Sequence, residues 1–126
     1  MAFVYFNPNP EGNYVGDCSV RAISKLLDQD WDTTYWGLAI TGSIVKDMPS
    51  SKKVIGTYLR NNGFTRKAIP SICPDCYSVR QFVQDYPNGI YLLATDSHVV
   101  TVIDGDYYDS WDSGDEMALY YWAKEK

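Results

Sequence analysis

The chain holds one histidine, His98, which heads a run of largely β-branched residues, His98-Val99-Val100-Thr101-Val102-Ile103. Of its three cysteines, Cys18 stands at the head of an amphipathic run, Gly16-Asp17-Cys18-Ser19-Val20-Arg21-Ala22-Ile23. A thiol and an imidazole brought together can perform covalent acyl transfer. The imidazole takes the thiol proton, the thiolate attacks a carbonyl, and the imidazolium protonates the leaving group. Taken singly, each residue has a plainer explanation: free cysteine is often a small buried hydrophobe, and a histidine at a strand end is often a polar edge residue.

The elements that must position the pair can be read locally. Apolar residues recur at Val20, Ile23, Leu26 and Leu27 with Arg21, Lys25 and Asp28 between them, which is helical spacing. Asp17 suits an N-cap, so Cys18 falls in the first turn, where unpaired amides and the positive end of the helix dipole favour thiolate. Near the other end of the chain, Asp104-Gly105 is a strong two-residue turn signal, and Asp106-Tyr107-Tyr108-Asp109-Ser110-Trp111 reads as the return strand. If those two residues alone form the loop, Ile103 pairs with Asp106 and Val100 with Asp109. His98 then shares a face with Asp109 and Trp111. Asp109 is thus the expected carboxylate to orient the imidazole, and Trp111 an expected cleft wall. A longer loop would change the parity, which keeps Asp112 as the reserve third member.

Elsewhere, Asp32 is expected to cap a helix through Tyr35, Trp36, Leu38, Ala39 and Ile40, and Ser51 one bearing Val54, Ile55, Tyr58 and Leu59, ended by Asn62-Gly63. Phe64 to Ile69 reads as a strand, and Ser78 opens a short helix with Val79, Phe82 and Val83 on one face. Ile90 to Ala94 and Met117 to Ala123 complete the strands. Helices early and antiparallel strands late predict an α+β domain with helices packed on an antiparallel sheet and the site between the layers.

At 126 residues and 45% hydrophobic, residues 1–126 read as one domain able to bury its own core. No apolar span is long enough for a membrane helix, and Met1 to Phe6 lacks a positive region and apolar core, so a cytoplasmic protein is expected. The net charge of −5 disfavours nonspecific attraction to nucleic acid or anionic membranes. It leaves room for a local basic patch at Lys52, Lys53, Arg60, Arg66 and Lys67.

A cysteine heading an early helix, followed by helices, a late strand opened by histidine and a return strand bearing aspartate resembles the papain-like cysteine peptidase superfamily. The runs Gly16-Asp17-Cys18-Ser19-Val20-Arg21-Ala22-Ile23, His98-Val99-Val100 and Tyr107-Tyr108-Asp109-Ser110-Trp111 carry the likeness. They are similar to small papain-fold proteins of phages and prophages, and more distantly to CHAP amidases and the peptidase domains of bacteriocin-exporting transporters. The resemblance implies a papain-like fold and a cysteine hydrolase acting on an amide or isopeptide bond in a bacterial host. It implies Cys18 as nucleophile, His98 as general base and then acid, and Asp109 as orienter. It implies an oxyanion hole formed by the Cys18 backbone N–H with an upstream amide side chain, for which Asn13 is the nearest candidate. Gly16 would let the backbone approach a substrate closely, or serve only as a turn residue.

No cofactor and no metal are expected; the expected partner is a peptide or protein substrate, or a host protein target. Two other functions share these residues: a CHAP-type peptidoglycan amidase, and a non-catalytic papain-fold binding protein that blocks a host or defence factor. Cys73-Pro74-Asp75-Cys76 is the rival motif, but a zinc site there needs two more ligands, and the only histidine and third cysteine belong to the proposed dyad. A structural loop, an intersubunit metal site and a redox pair all fit it. The acidic residues Asp104, Asp106, Asp112, Asp115 and Glu116 match no calcium-loop spacing and read as a solvated rim.

Overall fold

The computed structural model describes residues 2–13, 15–69 and 77–124, so Cys73 and Cys76 lie outside the described residues. In chain order the elements are β1 (Phe3–Tyr5), α1 (Cys18–Leu27), α2 (Trp31–Val45), α3 (Lys52–Asn61), β2 (Phe64–Ala68), α4 (Val79–Asp85), β3 (Ile90–Ala94), β4 (Val99–Ile103), β5 (Asp106–Asp109) and β6 (Tyr120–Lys124). The protein is α+β, with strand order β1-β5-β4-β3-β6-β2 in one sheet.

The helix starts follow local chemistry. Ser51 accepts from the Val54 amide at the head of α3, and Ser78 and Gln81 form a reciprocal capping box on α4. The cap of α2 is Asp30, which accepts from Thr33 N, so Asp32, the expected cap, falls inside the first turn. Asp17 precedes α1 as expected, yet its side chain makes no cap bond. Its carboxylate is held by Arg21 and Trp31 instead.

The sheet is mixed, where an antiparallel one was expected. Every pairing is antiparallel except that of β1, which runs parallel to β5 with Phe3 opposite Tyr107 and Tyr5 opposite Asp109. The apolar run Phe3-Val4-Tyr5 fits a strand, and the parallel direction is open to it because most of the chain separates it from β5 and no hairpin constrains the pair.

A second difference concerns the layers. Helices α1 to α3 cover one face, where Ile23, Leu38, Val54 and Leu59 pack with Leu92 and Trp122. The other face is covered by α4, whose Val79, Phe82 and Val83 pack with Leu93, Val100, Val102 and Tyr107. Because successive strand side chains point to opposite faces, Leu92 and Leu93 serve different cores. Each fully buried Leu, Ile or Phe contributes about 1.5–3 kcal/mol, so both layers are strongly held. The Thr101 hydroxyl, on the face opposite Val100 and Val102, donates to the Ala22 carbonyl and ties β4 to the helix that carries Cys18. Among the described residues no helix is long and apolar enough to cross a membrane.

Candidate active site

The hairpin is built on the two-residue turn that the sequence predicts. Asp104 (φ 49°) and Gly105 (φ 84°) both take positive φ, the pairing of signs a type I′ turn demands. Ile103 lies opposite Asp106, Val102 opposite Tyr107 and Thr101 opposite Tyr108. Continued for one more pair, this register sets Asp109 beside Val100, within reach of the residue that precedes β4. His98 Nε2 and Asp109 Oδ2 are 2.5 Å apart. The backbone of His98 is fixed as well, its carbonyl accepting from both the amide (2.8 Å) and the hydroxyl (3.1 Å) of Thr95.

With Nε2 on the carboxylate, Nδ1 is left for the thiol. Cys18, in the first turn of α1, lies close enough to His98 and to the Val99 amide for both to act on its sulfur, and it lines the same cavity as His98 and Val99. Burial pushes the thiol pKa up, but the bond with His98, the Val99 amide and the charges of His98 and Arg21 outweigh it and hold the thiol below its ordinary value. Burial pushes the imidazole down, yet its bonds to Asp109 and Cys18 and their charges raise it to about 9. Asp109 is likewise pushed up by burial and brought below the usual carboxylate value by His98, the Ser113 hydroxyl and the Ser110 amide. All three shifts run in the direction that favours charge: the thiol and the carboxyl release their protons more readily, and the imidazole holds its own more tightly.

Asp109 is 1% exposed and has every acceptor position engaged. Ser113 Oγ donates to Oδ2 (2.8 Å) and Ser110 N to Oδ1 (2.8 Å). Arg21 completes the set, donating from Nε (3.2 Å) and Nη2 (3.0 Å) to Oδ1. Its Nη1 donates to Asp17 Oδ1 (2.5 Å), whose Oδ2 accepts from Trp31 Nε1 (2.8 Å). Neither Arg21, Trp31 nor Ser113 was singled out by sequence reasoning. The one local signal was the i, i+4 spacing of Asp17 and Arg21 inside an otherwise apolar stretch.

Cys18, His98 and Asp109 are brought together; the other candidates stand apart from this contact chain to differing degrees. Asp112 is exposed, accepting from the Tyr107 hydroxyl (2.5 Å) and the Gly114 amide (3.0 Å). Trp111 is about half exposed, with its ring centroid 5.1 Å from that of His98. Asn13 is exposed, offers its carbonyl to the Asn7 side chain (3.3 Å), and is not among the residues lining the cavity. Gly16 does line it, and a Cβ there would meet nothing within 4 Å, so packing does not require glycine.

The cavity, of about 320 Å³, opens beside the thiol and runs between the heads of α1 and α3 and the β3–β4 turn. Its wall includes Ser19, Ser50, Ile55, Thr95 and Tyr120 beside Cys18 and His98. That volume is at the lower end of the range of ligand pockets, about 300–1,000 Å³. Among the described residues no group of three or more His, Cys, Asp or Glu could hold a metal ion. No protein-family model, curated protein or solved structure matches this chain.

Proposed function

We propose that this protein is a papain-like cysteine hydrolase that cleaves an amide or isopeptide bond in a peptide or protein. The observation that carries this reading is a single imidazole bonded to a fully engaged carboxylate and set beside a thiol at a helix head that it acts on, with an open cavity alongside. In the first half-reaction the Cys18 thiolate attacks the carbonyl carbon, and the imidazolium of His98 gives its proton to the departing amine, leaving a thioester. In the second, water attacks the thioester, neutral His98 takes a water proton, and the carboxylic product leaves with the thiolate restored. Because the Asp17 side chain does not cap α1, it leaves the first-turn amides to stabilise the oxyanion.

The test is alkylation of the folded protein by iodoacetamide and by a vinyl-sulfone peptide, with mass mapping of all three cysteines. Cys18 is expected to react selectively and to stay reactive below neutral pH, and His98→Ala to abolish both properties. Labelling of Cys18 with an ordinary thiol profile near pH 8.5 and no response to His98→Ala would falsify the hydrolase reading.

A second reading, a binding protein on the same scaffold, is favoured by one observation. Trp36, Ile40 and Ile44 form an exposed apolar row on α2 at four-residue spacing, continued by exposed Met48. Under that reading a protein partner covers the row, and substituting Ile40→Asp and Ile44→Asp abolishes partner binding while Cys18→Ala does not.

A further inference from the structure

Arg21 stands one helical turn from Cys18 on α1, with its side chain turned inward rather than toward water. A buried guanidinium is costly unless its donors are matched, and here Nε, Nη1 and Nη2 all meet carboxylate oxygens. Two of those donors fall on Oδ1 of Asp109 and none on Oδ2, which is left to His98 and Ser113. The division is asymmetric in a way that matters. Pinning one oxygen to α1 fixes the rotation of the carboxylate, and that rotation decides whether Oδ2 points at Nε2. The planar fork of arginine can do this where the single rotatable ammonium of lysine cannot. Apolar contacts between α1 and the sheet hold the layers together but tolerate small slides, whereas a polar clamp does not.

The same side chain also draws the Asp17 carboxylate away from the N-cap role, with Trp31 holding the second oxygen. An aspartate at that position ordinarily caps the first-turn amides, which are the groups the proposed oxyanion needs. One residue therefore serves both halves of the site. It joins the helix that bears the nucleophile to the strand that bears the orienter, and it keeps the helix head open.

We propose that Arg21 is a positioning residue of the proposed hydrolase: by clamping Asp109 it sets the tautomer and orientation of His98, and through them the reactivity of Cys18. This rests on the catalytic reading above. The experiment uses the full chain and two readouts: the rate of Cys18 alkylation by iodoacetamide, and the ring NMR signals of His98, unambiguous because the chain has no other histidine. Arg21→Gln is expected to lower the rate by about tenfold or more, the size of a lost charge-assisted bond, and to remove the downfield Nε2–H signal. Arg21→Lys, which keeps the charge, is expected to recover only part of either. Added to Asp109→Asn, Arg21→Gln is expected to change the rate by less than about twofold, because the two residues act in series.

Two results would overturn the proposal: a lowered melting temperature with rate and Nε2–H signal unchanged in Arg21→Gln, or an equal loss from Arg21→Gln with and without Asp109→Asn. Should Arg21→Gln and Arg21→Lys both fail to fold, the wild-type protein decides. Its Arg21 Nε–H signal is expected to shift with the His98 titration, and a signal that ignores it overturns the clamp. His98→Ala with a wild-type Cys18 rate would sink the hydrolase reading itself, while the Nε2–H signal in Arg21→Gln would still report on the clamp.

Discussion

Among the described residues stand two arginine–carboxylate clusters of similar composition and opposite setting. Arg21 lies between Asp17 and Asp109, with side chains 7%, 6% and 1% exposed. Arg80 meets Asp115 and, at 3.5 Å, Asp112, with side chains 45%, 92% and 52% exposed. Water and salt screen the second cluster, so its geometry is worth little and its members can be exchanged. In the first, every oxygen and nitrogen must find a protein partner, and removing one strands the others. Only in the buried cluster is a carboxylate held firmly enough to orient an imidazole. That difference separates Asp109 from Asp112, which stand three residues apart.

The sharpest way to break the comparison is to neutralise one carboxylate at a time. Asp109→Asn presents an amide donor to His98 Nε2, favours the wrong tautomer, and is expected to slow Cys18 alkylation by about a hundredfold or more. Asp112→Asn is expected to leave the rate unchanged; the opposite pattern would mean that the buried cluster is merely structural. Asp109→Ala, which leaves Arg21 and His98 short of a partner, is expected to cost about 3–5 kcal/mol in urea unfolding.

The pH dependence of stability gives a second test. The raised pKa of His98 means that its ionic contribution is complete below its unfolded value near 6.5 and is lost as pH climbs through the folded value of about 9. In the wild type the lowered thiol opposes this, because a thiol that gives up its proton more readily in the folded state adds stability as pH rises. Cys18→Ala unmasks it: its melting temperature is expected to fall from pH 6.5 upward, with the limb ending below pH 9 because the thiolate's share of the shift is gone. Adding His98→Gln should flatten that limb, and a limb that survives belongs to another group.

Smaller effects come from the edges of the two clusters. Thr101→Val removes the buried bond to the Ala22 carbonyl beside the Arg21 clamp and is expected to destabilise by about 1 kcal/mol in urea unfolding. Arg80→Gln, in the exposed cluster, is expected to move neither the unfolding midpoint nor the alkylation rate. A clear drop in either would erase the contrast.

Much of the site was legible because it depends on neighbours in the chain. Helical spacing put Cys18 in a first turn, and Asp104-Gly105 defined a register that favoured Asp109 over Asp112. The illegible parts depend on partners far away. Arg21 looks like a solvent-facing residue of an amphipathic helix, and nothing near it announces Asp109, 88 positions later. Asp17 looks like a cap, and it loses that role to Arg21 and the Trp31 indole. The shared face of Val100, Val102 and Tyr107 was legible as a face, but that α4 would cover it was not.

By itself, then, the sequence determined the α+β content, the helix head at Cys18 and the pairing of the His98 hairpin, because backbone hydrogen bonding and side-chain periodicity act over a few residues. The tertiary structure decided which layer covers each face, that β1 runs parallel to β5, and that a carboxylate and a guanidinium lose water together around His98. Desolvation is the reason: the need to match a buried charge arises only once the layers close, and the chain order of the residues that match it carries no trace of it.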